Sequence, residues 1–420
     1  MIPHPSVALH AKRLLFSISA RIGGSGLDSD SFEALRASYR AGFLGRAIAF
    51  DNRQQEIPAK WIESLRWNPV RLLSFLGSKY YYGAKKHALD RVAARRLRSG
   101  GFDLFHSWSG DCTRSLRAAH RLGIPSVLEI PTWHRNKGRV KPDLTKTERE
   151  MLAAPLLTRL RDQLLVSRQQ VMEEYALADL ILVLSEKAAE TFRVAGVANE
   201  KLFMLPRGTD PGRFTPGEPP SRFRALFVGA LIKRKGVHWL LEAWHKLALK
   251  DAELVLVGAV HDEIKPYLAQ YASPNIKLAG FVKRPEDYYR AASVHIFPSS
   301  CEGSAKVTYD AAACGIPQIT TRESGDVVID GVNGIVVPCG DVDALCAAIE
   351  RLYRAPELRS EMGRAARARV VENFTWDHYR ARLIEAYATA ERLCERRIES
   401  AGSSPQDLTM PRPTPQAIRH

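Results

Sequence analysis

The stretch Pro298–Pro317, PSSCEGSAKVTYDAAACGIP, contains the residues best suited to chemistry. Its Glu302 lies in a small-residue turn at the carboxyl end of a predicted strand, where open α/β sheets bind ligands. A helix follows, with Ser304 as a candidate N-cap, and its N-terminus favours an anion such as phosphate. Asp310 lies about a turn and a half into that helix, where a carboxylate could accept hydrogen bonds from a ribose diol. The spacing fits a nucleotide site, and it fits equally well a strand–turn–helix packing unit with solvated carboxylates.

A second candidate for phosphate binding is the turn from Gly229 to Gly236, GALIKRKG. It joins a predicted strand to a helix with an apolar face, and it matches neither a dinucleotide fingerprint nor a P-loop. Lys233, Arg234 and Lys235 crowd this turn, so at least one cation could reach a phosphate. The alternative is a solvated basic turn.

Short β-branched runs alternate with segments of helical period through most of the chain, which is typical of α/β proteins. The stretch 206–220 contains five prolines and three glycines, and the alternation restarts after it. We therefore predict two doubly wound, Rossmann-like domains over 1–208 and 209–372. A charged helix over 373–398 and a Pro/Ser-rich tail over 399–420, expected to be disordered, complete the chain.

The composition narrows the class of protein. The chain has 420 residues, of which 45% are hydrophobic and 25% charged, so it is neither collagen-like nor wholly disordered. No apolar stretch approaches the roughly 20 residues of a membrane span. The six cysteines are scattered without a CxxC pair, which predicts neither a zinc site nor a disulfide framework and favours the cytoplasm. The net charge of +15 suggests an anionic partner.

The second half of the chain resembles the retaining glycosyltransferases of family 4. The matching pieces occur in the family's order, and they include LFVGALIKRKGVHWLLEAW, YRAASVHIFPS, CEGSAKVTYDAAACGIPQITT and DGVNGIVV. The match is strong over about 175–387 and thinner over the first 170 residues, where RIGGSG and FDLFHSWSG match best. The resemblance implies the GT-B fold, in which two Rossmann-like domains face a central cleft and a C-terminal helix crosses between them.

The same resemblance implies roles for individual residues. Glu302 would contact the donor sugar, Asp310 would bind the donor ribose in place of the usual glutamate, and Lys235 would bind the diphosphate. The family's partner arginine falls on Ala230 and is missing, so that Arg234 or Arg207 could substitute. The other residues of the expected donor site are Gly23, Gly24, Gly229, Gly303, Ser304, Ala305, Lys306 and Val307.

The expected activity is transfer of a hexosyl group from a nucleotide-diphosphate sugar to a hydroxyl acceptor with retention of configuration. No metal or other cofactor is expected. The family's common uses suggest a glycan or lipid-linked acceptor in cell-surface polysaccharide or glycolipid synthesis. Two alternatives stay open: a sugar-nucleotide epimerase of the same fold, and a non-catalytic protein that binds a nucleotide sugar.

Weaker signals concern the N-terminal half. His134 could face the acceptor as a catalytic residue or be a solvated loop histidine, and His106 with Trp108 could line the acceptor side or be buried. The segment 61–98 combines aromatic and basic residues, so it could lie on an anionic membrane from the cytoplasmic side or simply pack on the sheet. We find no recognised nucleic-acid-binding module, and no nucleic-acid partner is expected.

Overall fold

The computed structural model describes residues 12–23, 27–65, 68–136 and 164–402. Gly24, Arg66 and Trp67 lie outside the described residues. So do residues 137–163 and the tail from residue 403 onward.

The N-terminal half is built on a parallel sheet. Its seven strands lie in the order β3-β2-β1-β4-β5-β6-β7, so the strand order reverses between β1 and β4. The strands are β1 (Leu14–Ile22), β2 (Leu44–Asn52), β3 (Ile62–Ser64), β4 (Leu104–Trp108), β5 (Ser126–Glu129), β6 (Leu180–Val183) and β7 (Leu202–Met204). The central strands are buried on both faces, as a parallel sheet covered by helices requires.

Helices cover both faces of this sheet. Within the described residues they are α1 (Leu27–Arg40), α2 (Ser78–Arg98), α3 (Thr113–Arg121), α4 (Arg168–Leu177) and α5 (Glu186–Val194). A 3-10 helix, Pro69–Leu76, precedes α2. Ser167 begins α4 with a capping box, and the Ser185 hydroxyl caps α5 by accepting from the Ala188 amide.

The C-terminal half repeats this plan. Its parallel sheet has the order β10-β9-β8-β11-β12-β13, with the reversal between β8 and β11. The strands are β8 (Phe223–Val228), β9 (Ala252–Val257), β10 (Ile276–Gly280), β11 (Val294–Phe297), β12 (Gln318–Thr320) and β13 (Gly334–Val336). The helices are α6 (Val237–Leu247), α7 (Lys265–Gln270), α8 (Glu286–Arg290), α9 (Lys306–Ala313), α10 (Val342–Arg354) and α11 (Pro356–Asn373). Ligands of such sheets bind where the strand order reverses, beyond the carboxyl ends of the strands.

The last helix, α12 (Trp376–Gly402), returns to the N-terminal half. Its buried Tyr379, Leu383 and Tyr387 join the core formed by β1, β4 and α1. Arg380 on this helix pairs with Glu33 of α1 at 2.5 Å. The predicted GT-B architecture, two Rossmann-like halves tied by a C-terminal crossover helix, is confirmed.

Candidate functional site

The turn after β11 brings a carboxylate and a guanidinium together. Arg234 donates from Nη1 to Glu302 Oε1 at 2.7 Å and also to the carbonyl of Cys301. The backbone carbonyl of Arg234 accepts from the hydroxyls of Ser299 and Ser300 at 3.1 and 3.0 Å. The basic turn after β8 is thereby fastened to the turn after β11, at the place where the strand order reverses.

Lys235 follows Arg234 in the same turn. A Cβ at Gly229 would stand 3.0 Å from its Nζ, and the ammonium lies 5.3 Å from the centre of the Phe297 ring. Burial lowers the pKa of Lys235, the Glu302 carboxylate opposes that effect, and Arg234 adds to it. A half-buried ammonium beside a glycine is suited to bind an incoming anion.

Helix α9 supplies backbone donors to the same place. Among the described residues, none accepts a hydrogen bond from the amides of Lys306 and Val307, the first two of the helix. The prediction that Ser304 caps the helix is wrong, since Ala305 is the N-cap residue and the Ser304 hydroxyl pairs with the Tyr309 hydroxyl at 2.7 Å. The Ala305 amide is also used internally, because it donates to the Ser324 carbonyl at 2.8 Å.

The carboxylate of Asp310 is buried and already paired. It accepts from the Thr209 hydroxyl at 2.7 Å and from Lys306 Nζ at 3.1 Å. The ammonium of Lys306 lies 5.8 and 5.6 Å from the rings of Phe214 and Trp376. The side chains of Lys306 and Asp310 thus face the connection between the two halves, and a ribose would bind by sharing or replacing these contacts.

The two halves meet at the glycine next to Glu302. Gly303 has no side chain, and an added Cβ would stand 2.5 Å from the carbonyl oxygen of Pro131, which follows β5. Its own carbonyl accepts from the Ser185 hydroxyl at 2.5 Å. Arg207, next to the connection between the halves, forms a buried ion pair with Asp30 of α1, and its amide donates to the Tyr309 hydroxyl of α9 at 3.3 Å. Burial lowers the pKa of Arg207, and the Glu302 carboxylate is near enough to oppose that effect.

This arrangement can be compared with known proteins. Residues 222–355 match the family described as "Glycosyl transferases group 1". The chain is 30% identical over 334 residues to the D-inositol 3-phosphate glycosyltransferase of Kribbella flavida, which covers 71% of this chain and 74% of that protein. The chain belongs to the group 1 glycosyltransferases.

Other relatives of this group 1 glycosyltransferase match over different lengths. The capsular polysaccharide biosynthesis glycosyltransferase CapM of Staphylococcus aureus is 32% identical over 157 residues, 36% of this chain and 41% of CapM. Sucrose-phosphate synthase of Thermosynechococcus elongatus has a similar fold, with a TM-score of 0.62 at 19% identity over 94% of this chain and 100% of that one. HepE of Anabaena, solved in complex with UDP, has a TM-score of 0.57 at 16% identity over 93% of this chain and 100% of that one.

Three candidate residues in the N-terminal half of the glycosyltransferase, His134, His106 and Trp108, are buried. His134 is buried at 3% exposure, with its ring 5.0 Å from that of Tyr175 and 4.9 Å from that of Phe192. Burial lowers the pKa of His134 to about 4, with a smaller contribution from Arg168, so the ring is neutral at pH 7. This packing favours a structural role for His134.

His106 and Trp108 are also buried rather than facing an acceptor. His106 Nδ1 lies 2.9 Å from the Tyr387 hydroxyl of α12, and its ring meets Phe16 edge to face. His106 and Trp108 are two positions apart on β4, so both side chains point to the face of the sheet that α1 and α12 cover. For this reason neither side chain reaches the cleft. Gly23, in contrast, is at the carboxyl edge with a φ of +80°, where a Cβ would stand 2.9 Å from the Gln54 amide nitrogen.

Asp111, which lies shortly after β4, is a polar residue that the sequence patterns above do not single out. Asp111 accepts from the Ser19 amide at 2.7 Å and pairs with Lys86 at 2.8 Å. The buried Glu174 carboxylate accepts from the amides of Gly110 and Cys112 at 2.5 and 3.1 Å, yet burial raises the pKa of Glu174 to about 7. The rule that ligands lie at the carboxyl ends of parallel strands would have singled out Asp111.

Substitution of Gly303 by alanine tests the contact between the halves. The added Cβ would overlap the Pro131 carbonyl, and overpacking of this kind costs about 1–3 kcal/mol. We expect kcat/KM for the glycosyltransferase reaction to fall roughly 10–100-fold, because the two halves can no longer approach each other as closely beside Glu302. Gly212→Ala is the control, since the atom that its added Cβ would approach, Asp210 Oδ1 at 3.2 Å, is the end of a side chain. Equal kcat/KM in both variants would show that turnover does not require this contact.

Proposed function

We propose that this group 1 glycosyltransferase moves a hexosyl group from a nucleotide-diphosphate sugar to a hydroxyl acceptor with retention of configuration. The observation that carries the proposal is the convergence of Glu302, Arg234 and Lys235 with the first amides of α9 at the strand-order reversal. This set combines one carboxylate suited to sugar hydroxyls with cations and N–H donors suited to a diphosphate.

In the proposed reaction the acceptor oxygen forms a bond to the anomeric carbon. The bond from that carbon to the diphosphate oxygen breaks, its electron pair stays on the diphosphate, and the acceptor proton ends on the departing diphosphate. Lys235 and the amides of Lys306 and Val307 stabilise the negative charge that develops there. Glu302, held by Arg234, accepts hydrogen bonds from the sugar and fixes its orientation.

Arg234 is our candidate to replace the arginine that is missing at Ala230. It is four positions further along the same turn, and it already reaches Glu302 and the Cys301 carbonyl. Arg207 is a less suitable substitute, because its guanidinium is buried and paired with Asp30.

The direct test of this proposal is the product's stereochemistry. The enzyme is incubated with sugar nucleotides and hydroxyl acceptors, and the new glycosidic linkage is followed by proton NMR. We expect the anomeric configuration of the donor to be kept. An inverted product would overturn the retaining assignment, and release of a free or epimerised nucleotide sugar without any glycoside would favour an epimerase.

We also propose that the surface formed by the 3-10 helix Pro69–Leu76 docks on an anionic membrane. Within the described residues no helix is long and apolar enough to cross a bilayer. Leu72 and Phe75 are nevertheless 76% and 77% exposed, and the exposed Lys79 follows them at the start of α2. Exposed apolar side chains flanked by cations are typical of a surface that lies in the membrane interface.

Vesicle binding tests this surface. In co-sedimentation with phosphatidylglycerol vesicles, the double substitution Leu72→Ser, Phe75→Ser should lower binding at least tenfold, because two large apolar side chains no longer enter the bilayer. The matched control is Leu278→Ser on the edge strand β10, where an exposed leucine lies in the other half. Unchanged binding by the double variant would contradict the proposal.

A further inference from the structure

The start of helix α5 contacts the C-terminal half beside Glu302. The Ser185 hydroxyl, which caps this helix, donates to the Gly303 carbonyl at 2.5 Å. The amide of the next residue, Glu186, donates to the Asp326 carboxylate at 2.6 Å. The first amides of a helix have no partner within the helix, and a helix N-terminus favours a negative charge. The Asp326 carboxylate therefore supplies, from the opposite half of the chain, the acceptor that the first amide of α5 lacks.

The segment that ends in this aspartate is hydrogen-bonded to the turn of Glu302; we call residues 322–326 the bracing segment. The Glu323 carbonyl accepts from the Glu302 amide at 2.9 Å. The Ser324 carbonyl accepts from the amide of Ala305, the N-cap residue of α9, at 2.8 Å. A shift of the bracing segment would thus be transmitted to both ends of the turn that carries the proposed sugar-binding carboxylate.

The bracing segment is also fixed on its own half. Arg369 of α11 donates from Nη2 to the Asp326 carbonyl and from Nε to the Val327 carbonyl, each at 3.0 Å. A Cβ at Gly325 would stand 2.5 Å from the Ser304 hydroxyl oxygen and 3.0 Å from the Ser304 Cα, so the segment packs closely against the turn. Because its backbone is held in this way, the half-buried Asp326 connects α5 to the candidate site through few and short contacts.

We propose that Asp326 is a positioning residue of the transfer reaction, which binds the first amide of α5 and thereby holds the turn of Glu302 in the orientation that the donor sugar requires. The proposal rests on the proposed transferase function, because the role of Glu302 comes from it. Asp326 acts through the carbonyls of the bracing segment and needs no contact with the donor. The ion pair of Arg322 with Glu190 of α5, at 4.0 Å between exposed side chains, adds little to this contact.

Kinetics of matched variants test the proposal. Asp326→Ala should lower kcat for sugar transfer about tenfold, because one charge-assisted hydrogen bond is removed. Its affinity for the nucleoside diphosphate should stay within about threefold of the wild type, because Lys235 and the first amides of α9 are untouched. Asp326→Asn keeps an acceptor oxygen, and a neutral hydrogen bond is about half as strong, so kcat should recover to within about threefold of the wild type.

Asp330→Ala is the matched control. The exposed Asp330 carboxylate accepts from the Val336 amide at 2.9 Å, so this variant also loses a bond between a carboxylate and an amide. That bond lies within the C-terminal half and does not join it to α5. We expect kcat of Asp330→Ala to stay within about threefold of the wild type.

Hydrogen–deuterium exchange tests the contact without any reaction. In Asp326→Ala, the peptide that contains the Glu186 amide should exchange about threefold faster or more, because that amide loses its acceptor. In Asp330→Ala, the same peptide should exchange at the wild-type rate.

Wild-type kcat in Asp326→Ala would overturn the proposal, whatever the exchange rate. Equal losses of kcat in Asp326→Ala and Asp330→Ala would also overturn it, because they would indicate a general loss of stability. A wild-type enzyme that transfers no sugar would instead refute the proposed function. In that case, unchanged exchange of the Glu186 peptide in Asp326→Ala would refute the contact between the halves as well.

Discussion

Glu302→Gln is expected to lower kcat for sugar transfer by about 100–1,000-fold, the loss that follows removal of one preorganised polar group from a transition-state site. The substitution keeps the size of the side chain and removes its charge, so that the ion pair with Arg234 and the charge-assisted hydrogen bonds to the sugar are lost. Steady-state kinetics with the native donor measure the effect. The KM for the donor should change little, because the diphosphate donors are untouched.

Glu323→Gln provides the matched control. Glu323 is near Glu302, and its backbone carbonyl accepts from the Glu302 amide at 2.9 Å. The same change of charge there should leave kcat within about threefold, since surface substitutions away from special contacts cost little. Circular dichroism of both variants verifies the fold. Full activity of Glu302→Gln would show that the assigned site is wrong.

Lys235→Ala is expected to weaken nucleoside-diphosphate binding by about 10–100-fold, because hydrogen bonds to charged groups contribute about 1.5–3 kcal/mol. The ammonium lies beside Gly229, where the lack of a side chain lets a diphosphate approach the backbone closely. Calorimetric titration with the nucleoside diphosphate measures the affinity.

Lys233→Ala separates a specific contact from general electrostatic attraction. Lys233 belongs to the same turn, but it is exposed and its ammonium lies over the Tyr267 ring, 5.0 Å from the ring centre. Its removal should change the affinity by less than threefold, since an exposed charge is screened by solvent and salt. Equal losses of nucleoside-diphosphate affinity in Lys235→Ala and Lys233→Ala would mean that Lys235 makes no specific contact with the diphosphate.

The sequence predicts the elements of the C-terminal half well, because there the strands are continuous apolar runs followed directly by glycine-rich turns. The strand and the helix that the turn from Gly229 to Gly236 is predicted to join correspond to β8, which ends at Val228, and α6, which begins at Val237. No local pattern indicates the strands β2, β3, β7 and β13. Three of them have only three residues, and β2 has a glycine and an arginine directly after its first residue, Leu44, so pairing with neighbours decides their structure.

In the candidate site, too, some features follow from local sequence patterns and others depend on contacts between residues far apart in the sequence. Glu302, Lys235 and the turns that hold them follow from strand ends and small residues, which are local signals. The contacts of Glu302 with Arg234 and of Asp310 with Thr209 join residues 68 and 101 positions apart, and no local pattern encodes them. The burial of His106 and His134 depends on α12 and on the rings of Tyr175 and Phe192, which only the folded chain brings together.

The most direct test of the donor site is a thermal-shift screen of the wild-type enzyme against UDP, GDP, ADP, dTDP and CMP sugars. A ligand that binds only the folded protein raises its stability by an amount set by its concentration and affinity, about 2.7 kcal/mol at 100 times Kd. We predict that one nucleotide stabilises the enzyme selectively, which would support the site of Glu302 and Lys235 and identify the base. Absence of stabilisation by every nucleotide sugar would contradict donor binding at this site.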